Sequence, residues 1–227
     1  MENMFNQMMA LPLLQGASHE QLETIIEKVP FHFLKLSDGE KFIATGDECT
    51  HLRFIVSGSV RIVTASVAAR LTLSQFLDAP DVIGPEFLFG RRTVYPYDVF
   101  ASGSCGILQI LKSDYIDILQ SNPIFILNIL NYLSLNSQKR AFSILAQSKG
   151  HIAERLAKFI ITLTTAKSYG TKLSFRQKDL CLALGARRTS LLNALSELRE
   201  KGIIDYSLSE IQVLNRKALA ALVDSSN

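Results

Sequence analysis

A polar stretch in the last third of the chain carries side chains that could hydrogen-bond to the edges of DNA bases. Arg188 could donate to both acceptors of a guanine, and Asn193 could pair with an adenine. Thr189 lies next to Arg188 and completes the set that we predict to contact bases. The side chains that we predict to contact the DNA backbone are Arg187, Ser190 and Lys201.

Apolar spacing predicts the helices that would position these side chains. Leu191, Leu195 and Leu198 recur at helical spacing, and a shorter apolar pattern precedes them. Gly185 lies between the two patterns, which is typical of a helix-turn-helix. Residues 203–214 are predicted to form a hairpin, which would make the arrangement a winged one. The alternative is an ordinary helical hairpin whose polar side faces water.

Charge is unevenly divided along the chain. The 227 residues carry a net charge of +3, but 13 of the 24 Lys and Arg residues, and only 7 of the 21 Asp and Glu residues, lie from Ser148 onward. A basic C-terminal part suits a polyanionic partner. Three widely separated cysteines, Cys49, Cys105 and Cys181, suit a reducing compartment. We expect neither a signal peptide nor a membrane span, and therefore a cytoplasmic protein.

Residues 31–111 change to short β-rich runs separated by turn residues. Short strands at this spacing predict a sandwich or a barrel. Before them, Ser18 and Gln21 could form a capping box for a helix. Turns are expected at residues 37–39, 46–47, 57–58 and 79–81, and a short helix at residues 85–89.

A long helical pattern spans residues 124–147. Its seam of a and d positions consists of Ile126, Leu130, Leu133, Ser137, Arg140 and Ile144. One interpretation is a helix that packs on its own domain. We favour a dimer helix, because an adjoining helix-turn-helix usually acts as a two-fold dimer. Residues 151–167 and 216–223 are expected to form further helices.

This order of parts resembles the Crp/Fnr family of bacterial transcription regulators over nearly the whole chain. Residues 39–63, GEKFIATGDECTHLRFIVSGSVRIV, resemble the β-roll of that family, with its Gly-Glu, Gly-Asp and Ser-Gly-x-Val turns. Residues 152–157, IAERLA, are similar to the start of its DNA-binding domain. Residues 184–204 resemble its recognition-helix segment, with Arg188 at the base-reading arginine.

The resemblance implies an α+β fold in three parts. These are an antiparallel, jelly-roll-like β-roll domain at residues 1–121, a dimerisation helix at residues 122–148 and a winged helix-turn-helix domain at residues 149–227. It also implies a homodimer on a palindromic site in double-stranded DNA, contact with RNA polymerase, and a regulator rather than an enzyme.

The positions that hold cAMP in the nucleotide-binding members are changed in this chain. Their Gly-Glu and Arg-Ser pairs are replaced by Gly84-Pro85 and Tyr95-Pro96, and the Thr-Ser of the dimer helix by Arg140-Ala141. We therefore expect no cAMP binding in the usual mode. The candidate pocket for another small-molecule effector consists of Gly84, Glu86, Tyr95, Tyr97 and Arg140. One interpretation is that Arg140 meets an anion, and the other is that it extends outward or pairs with an acidic residue.

The recognition segment departs from the family pattern as well. Arg187 stands where the family usually has Ser, so the helix loses a side-chain cap and gains a phosphate-binding charge. Thr189 stands where the family usually has a Glu that could accept from cytosine. The preferred DNA site is therefore expected to differ from that of the usual members.

Cofactor chemistry has little support in the sequence. The iron–sulfur members need clustered N-terminal cysteines, whereas the first cysteine here is Cys49, so no such cluster is expected. The alternative function is a cupin-like β-barrel metalloenzyme with an accessory C-terminal helical domain. The sequence contains no HxH pair that could bind the metal of such an enzyme, and we expect no metal cofactor.

Overall fold

The computed structural model of the chain describes residues 8–66, 70–146, 150–165 and 167–224, without the side chains of residues 139–146 and 224. The chain divides into two units. The first consists of Met1–Arg61 and Leu77–Asn136, and the second of Ile62–Phe76 and Ser137–Asn227.

The described helices and strands follow the predicted α+β order. The α-helices are α1 (His19–Lys28), α2 (Lys112–Ser121), α3 (Pro123–Ala146), α4 (Ile152–Leu163), α5 (Gln177–Leu184), α6 (Arg188–Glu200) and α7 (Arg216–Asp224), and Pro85–Phe87 form a 3-10 helix. The strands are β1 (His32–Leu36), β2 (Lys41–Ile43), β3 (His51–Ser66), β4 (Leu71–Asp78), β5 (Asp81–Ile83), β6 (Asp98–Leu111), β7 (Tyr169–Ser174), β8 (Ile204–Tyr206) and β9 (Glu210–Val213).

The first unit is built on antiparallel strands, as predicted. β6 pairs with β1 from His32↔Gln109 to Leu36↔Cys105, pairs also with β2, and neighbours β3. β5 pairs with β3. Before the strands, α1 begins with the predicted capping box, because the Ser18 hydroxyl accepts from the Gln21 amide while the Gln21 side chain accepts from the Ser18 amide.

The turn predicted at Ser57-Gly58 is wrong, because β3 runs unbroken through it. Gly58 has a φ of +73°, which lets the chain bend without ending the strand. A Cβ at Gly58 would overlap the carbonyl oxygen of Ser104 in β6. Glycine is therefore required there by the close approach of two strands.

In the second unit, a sheet with the order β4-β7-β9-β8 packs with the helices. β7 pairs antiparallel with both β4 and β9. The helix predicted over residues 151–167 ends earlier, at Leu163, and the next residues lead into β7. The helix ends because Thr164 has an extended backbone, and the Thr164 hydroxyl donates to the Ile160 carbonyl in the last turn. In β7, Thr171 and Leu173 are buried and their neighbours are more exposed, as in a strand with one buried face.

The units divide the chain differently from the expected domains. The segment Ile62–Phe76 belongs to the second unit although it lies within the sequence assigned to the β-roll. Its strand β4 pairs with β7, which is a contact between distant parts of the sequence. None of the helices in the described ranges has the length and apolar character needed to cross a membrane.

Candidate nucleic-acid interface and β-roll cluster

The turn between α5 and α6 is closed by backbone hydrogen bonds. Gly185, at a φ of +56°, donates to the Leu182 carbonyl, and Ala186 donates to the Cys181 carbonyl. This double hydrogen bond is the Schellman arrangement that ends many helices. Arg155 of α4 donates from its guanidinium to the Leu184 carbonyl, so it satisfies another carbonyl at the end of α5. The turn of the predicted helix-turn-helix is thereby held on α4.

Helix α6 buries one face and exposes the other. Leu191, Ala194, Leu195 and Leu198 are buried in the core of the second unit. The side chains predicted to contact bases, Arg188, Thr189 and Asn193, are all exposed. Two of them lie in the first turn and the third in the next one, so the structure brings them to one end of the helix.

The residues predicted to contact the DNA backbone fall into two groups. Arg187 and Ser190 are exposed at the start of α6, where Arg187 makes no side-chain capping hydrogen bond. Lys201 follows the last residue of α6, about 20 Å along the axis from Arg187. Its ammonium lies 2.6 Å from a carboxylate oxygen of Glu197. Lys201 is therefore paired with Glu197 on the surface and lies apart from the other group.

Contacts between α6 and β8 fix the first strand of the wing. The Ser196 hydroxyl and the Tyr206 hydroxyl are 3.1 Å apart, within hydrogen-bonding distance. Arg199 lies 2.9 Å from Asp205 and stacks over the Tyr206 ring at 5.3 Å. The sequence patterns had not indicated these pairings or the Arg155 contact, because each joins residues from different elements.

In the first unit, aromatic side chains crowd the predicted effector region. Gly84 is buried, and a Cβ there would overlap the Tyr97 hydroxyl and lie 3.0 Å from the Phe87 ring. Phe87, Tyr95 and Tyr97 contact one another, with ring centroids 5.8 to 6.1 Å apart. We call Gly84, Phe87, Tyr95 and Tyr97 the aromatic cluster. It brings three of the predicted pocket residues together, but by packing them against each other.

The Tyr95 hydroxyl sits in a buried hydrogen-bond network. It accepts from the Cys49 thiol at 3.0 Å and from the Arg53 guanidinium at 3.1 Å. Burial raises the pKa of Tyr95, and it also raises the pKa of the Cys49 thiol. Both groups therefore stay protonated at neutral pH, and the Tyr95 hydroxyl is held in place by two hydrogen bonds.

The other predicted pocket residues are placed less completely. Glu86 is half-buried, and its carboxylate adds to the effect of burial in raising the pKa of Tyr97, so the two lie close together. The side chain of Arg140 falls outside the described residues. A cavity of about 410 Å³ lies next to Cys49, and it is lined by Glu48, Cys49, Thr50, Leu111, Lys112, Ser113 and Ile116.

Within the described ranges, no three His, Cys, Asp or Glu side chains form a group that could hold a metal ion.

Two family models match the sequence. One is described as a cyclic nucleotide-binding domain and matches residues 33–122. The other is described as a Crp-like helix-turn-helix domain and matches residues 154–222. No curated protein gives a significant match to the sequence.

Solved structures include similar chains at low sequence identity. The catabolite activator protein of Thermus thermophilus is 17% identical, with 95% of this chain and 100% of that chain covered, at a TM-score of 0.49. FixK2 from Bradyrhizobium japonicum is 17% identical, with 86% and 98% covered, at a TM-score of 0.47. The sensor domain of the transcriptional regulator DNR from Pseudomonas aeruginosa is 16% identical, with 62% and 92% covered, at a TM-score of 0.53, which supports the β-roll fold.

The two family models match in the expected order along the chain and include residues 39–63 and 184–204, whereas residues 123–153, with most of the predicted dimerisation helix, lie between the two matches. The cupin-like metalloenzyme is not favoured by these matches. The chain belongs to the Crp/Fnr family of transcription regulators, with a cyclic nucleotide-binding domain followed by a Crp-like helix-turn-helix domain.

Proposed function

We propose that the protein is a homodimeric regulator that binds a palindromic DNA operator and does not use cAMP in the usual mode. The observation that carries this proposal is the exposed face of α6, where Arg188, Thr189 and Asn193 project away from the buried leucines. A helix fits the major groove, and the residues of its first turns reach base edges there.

The start of α6 suits a DNA phosphate. Arg187 supplies a cation, and the first turn contains no acidic residue. Because Arg187 makes no side-chain cap, amides of the first turn can still donate to an anion. Contacts of this kind set the register of α6 on the duplex, while Arg188 and its neighbours supply the sequence preference.

Helix α3 offers the dimer surface. Phe125 and Ile129 are buried within the first unit, whereas Ile126 is 42% exposed, Leu127 53% and Leu130 52%. Exposed apolar side chains in a continuous stripe are typical of an interaction surface. Because Ile126 and Leu130 occupy the predicted seam, the occupant that fits best is the same helix of a second copy.

The aromatic cluster supports a regulator that does not bind cAMP in the usual way. The region that corresponds to the nucleotide contacts is filled by Phe87, Tyr95 and Tyr97, and Gly84 has no space beside it. An effector of another kind remains part of the proposal, with Arg140 as the residue that would meet an anion. We propose RNA polymerase as a further partner and the cytoplasm as the location, since both follow from a role at promoters.

Replacing Arg188 with Ala is expected to weaken binding to the selected operator by about 1–3 kcal/mol and to relax the preference at one base pair. Binding to random DNA should change little, because the lost contacts are to a base. Fluorescence anisotropy on both duplexes measures this.

The matched variant is Arg187→Ala, which should weaken binding to both duplexes alike. It should also reduce the slope of log affinity against log salt concentration by about 1, because one phosphate contact is lost. If Arg188→Ala also weakened both duplexes equally, Arg188 would not read a base.

Replacing Leu130 with Glu is expected to convert the dimer to a monomer, because two like charges would face each other across an apolar seam. Sedimentation equilibrium reports the mass directly. Leu182→Glu is the control, since Leu182 is 81% exposed and lies on α5, outside the seam. A Leu130→Glu protein that remained dimeric would show that α3 is not the interface.

Addition of cAMP is expected to leave the thermal unfolding midpoint unchanged and to give no saturable heat in a titration. A ligand that binds only the folded state must raise that midpoint, so the two measurements check each other. A saturable heat together with a raised midpoint would mean that the aromatic cluster opens for the nucleotide.

A further inference from the structure

The second unit contains a segment from the middle of the first unit's sequence. Ile62–Phe76 is assigned to it, and the chain therefore passes between the units at residues 61–62, 76–77 and 136–137. We call the described part of this segment, residues 62–66 and 70–76, the arm. Three observations show how closely the arm is integrated with the helix-turn-helix.

The first observation is backbone pairing. β4 pairs antiparallel with β7 in the register Thr72↔Ser174, Leu73↔Leu173, Ser74↔Lys172 and Phe76↔Tyr169. The opposite edge of β7 pairs with β9, which belongs to the wing. β7 is therefore an interior strand only because the arm supplies its second neighbour. Without the arm, a row of its amides and carbonyls would lose their partners.

The second observation is the shared core. Leu71 and Leu73 of the arm are buried in the same hydrophobic cluster as Leu180 of α5 and Leu191 and Leu195 of α6. These are the side chains whose burial orients the recognition helix. Removing the two arm leucines would open a cavity in that cluster, which destabilises the core beyond the loss of buried apolar surface.

The third observation is a buried polar link. Gln75 is 4% exposed, and its side-chain oxygen accepts from the Thr165 amide at 2.9 Å. The Thr165 carbonyl in turn accepts from the Arg216 guanidinium at 2.6 Å. Phe76 stacks on Tyr169 of β7, with ring centroids 5.5 Å apart. The arm is thus joined to the loop after α4, to α7 and to β7.

We propose that the arm is an obligatory strand of the DNA-binding unit, so that the helix-turn-helix keeps its fold only while β4 stays paired with β7. DNA is bound in this paired state, and separation of β4 from β7 switches binding off. The segment from about residue 149 to the C-terminus is accordingly not a self-sufficient domain. The statement about DNA rests on the proposed function, whereas the statement about the fold does not.

Hydrogen exchange on the full-length protein tests the dependence of the fold. Leu73→Ala should speed exchange of the β7 and α6 amides by about 30-fold or more. This factor corresponds to the smallest loss of stability that is typical when a buried leucine is replaced by alanine. The β1 amides, in the first unit, should keep their rates. Thr72→Ala is the matched control, because Thr72 is the adjacent β4 residue and is exposed. Wild-type exchange in β7 and α6 of the Leu73→Ala protein would overturn the proposal.

A disulfide across the pairing tests the DNA-bound state and does not depend on how well Leu73→Ala folds. Thr72→Cys with Ser174→Cys, in a Cys181→Ser background, places two thiols on exposed cross-strand partners. We expect the disulfide to form under mild oxidation, and the oxidised protein to bind the selected operator as tightly as the reduced one. Loss of binding on oxidation, restored by reduction, would show that the arm must leave, which contradicts the proposal.

The two experiments separate this proposal from the proposed function. If the unmodified protein selected no DNA sequence, the exchange rates and the cross-link would still decide whether the arm completes the unit. If DNA were bound but exchange in β7 did not respond to Leu73→Ala, only the inference about the arm would fail.

Discussion

The burial of one face of α6 is the constraint on which the second unit depends. Leu191, Leu195 and Leu198 are almost fully buried, and each contributes about 1.5–3 kcal/mol by leaving water. Because they recur at helical spacing, their burial determines which side chains face outward. Arg188 and Asn193 are exposed for this reason. The same core holds helices α4 and α5 and the strands of the wing, so the orientation of the exposed face is set by the whole unit.

The first unit combines a framework of antiparallel strands with aromatic packing around Gly84. Its strands are antiparallel, and the family model for a cyclic nucleotide-binding domain matches residues 33–122, a range that also contains Ile62–Phe76 of the second unit. Within that framework, the absence of a side chain at Gly84 lets Tyr97 and Phe87 pack directly against its backbone. Tyr95 is tied to Cys49 and Arg53 by hydrogen bonds, which makes the packing specific. Gly84 and Tyr95, which the resemblance aligns with nucleotide contacts of the family, both lie in this aromatic packing.

Local signals were sufficient to predict much of the second unit. The apolar period gives α6, Gly185 marks the turn, and the exposed positions of Arg188, Thr189 and Asn193 follow from the period. The same kind of signal placed the capping box of α1. The DNA contacts themselves stay predictions, because the face of a helix can be derived from its sequence whereas its partner cannot.

Features that depend on distant partners could not be derived in this way. β3 continues through Gly58 because Ser104 lies opposite, and a Ser-Gly pair alone resembles a turn. In β7, buried and exposed residues alternate over only 6 residues. Such a short alternation is hard to recognise in the sequence next to the longer helical pattern that precedes it. Its pairing with β4 joins residues about a hundred positions apart in the sequence, which no local pattern encodes. Arg155 and the aromatic packing around Gly84 depend on tertiary contacts in the same way.

The most direct test of the central claim is selection from random duplex DNA by the purified full-length protein, with no small molecule added. A homodimeric regulator should enrich a two-fold palindrome whose half-sites are about one helical turn, or roughly 10 base pairs, apart. The selection is then repeated with a cell extract to supply any effector. Failure to enrich a palindrome in both selections would contradict binding of a palindromic operator by a homodimer.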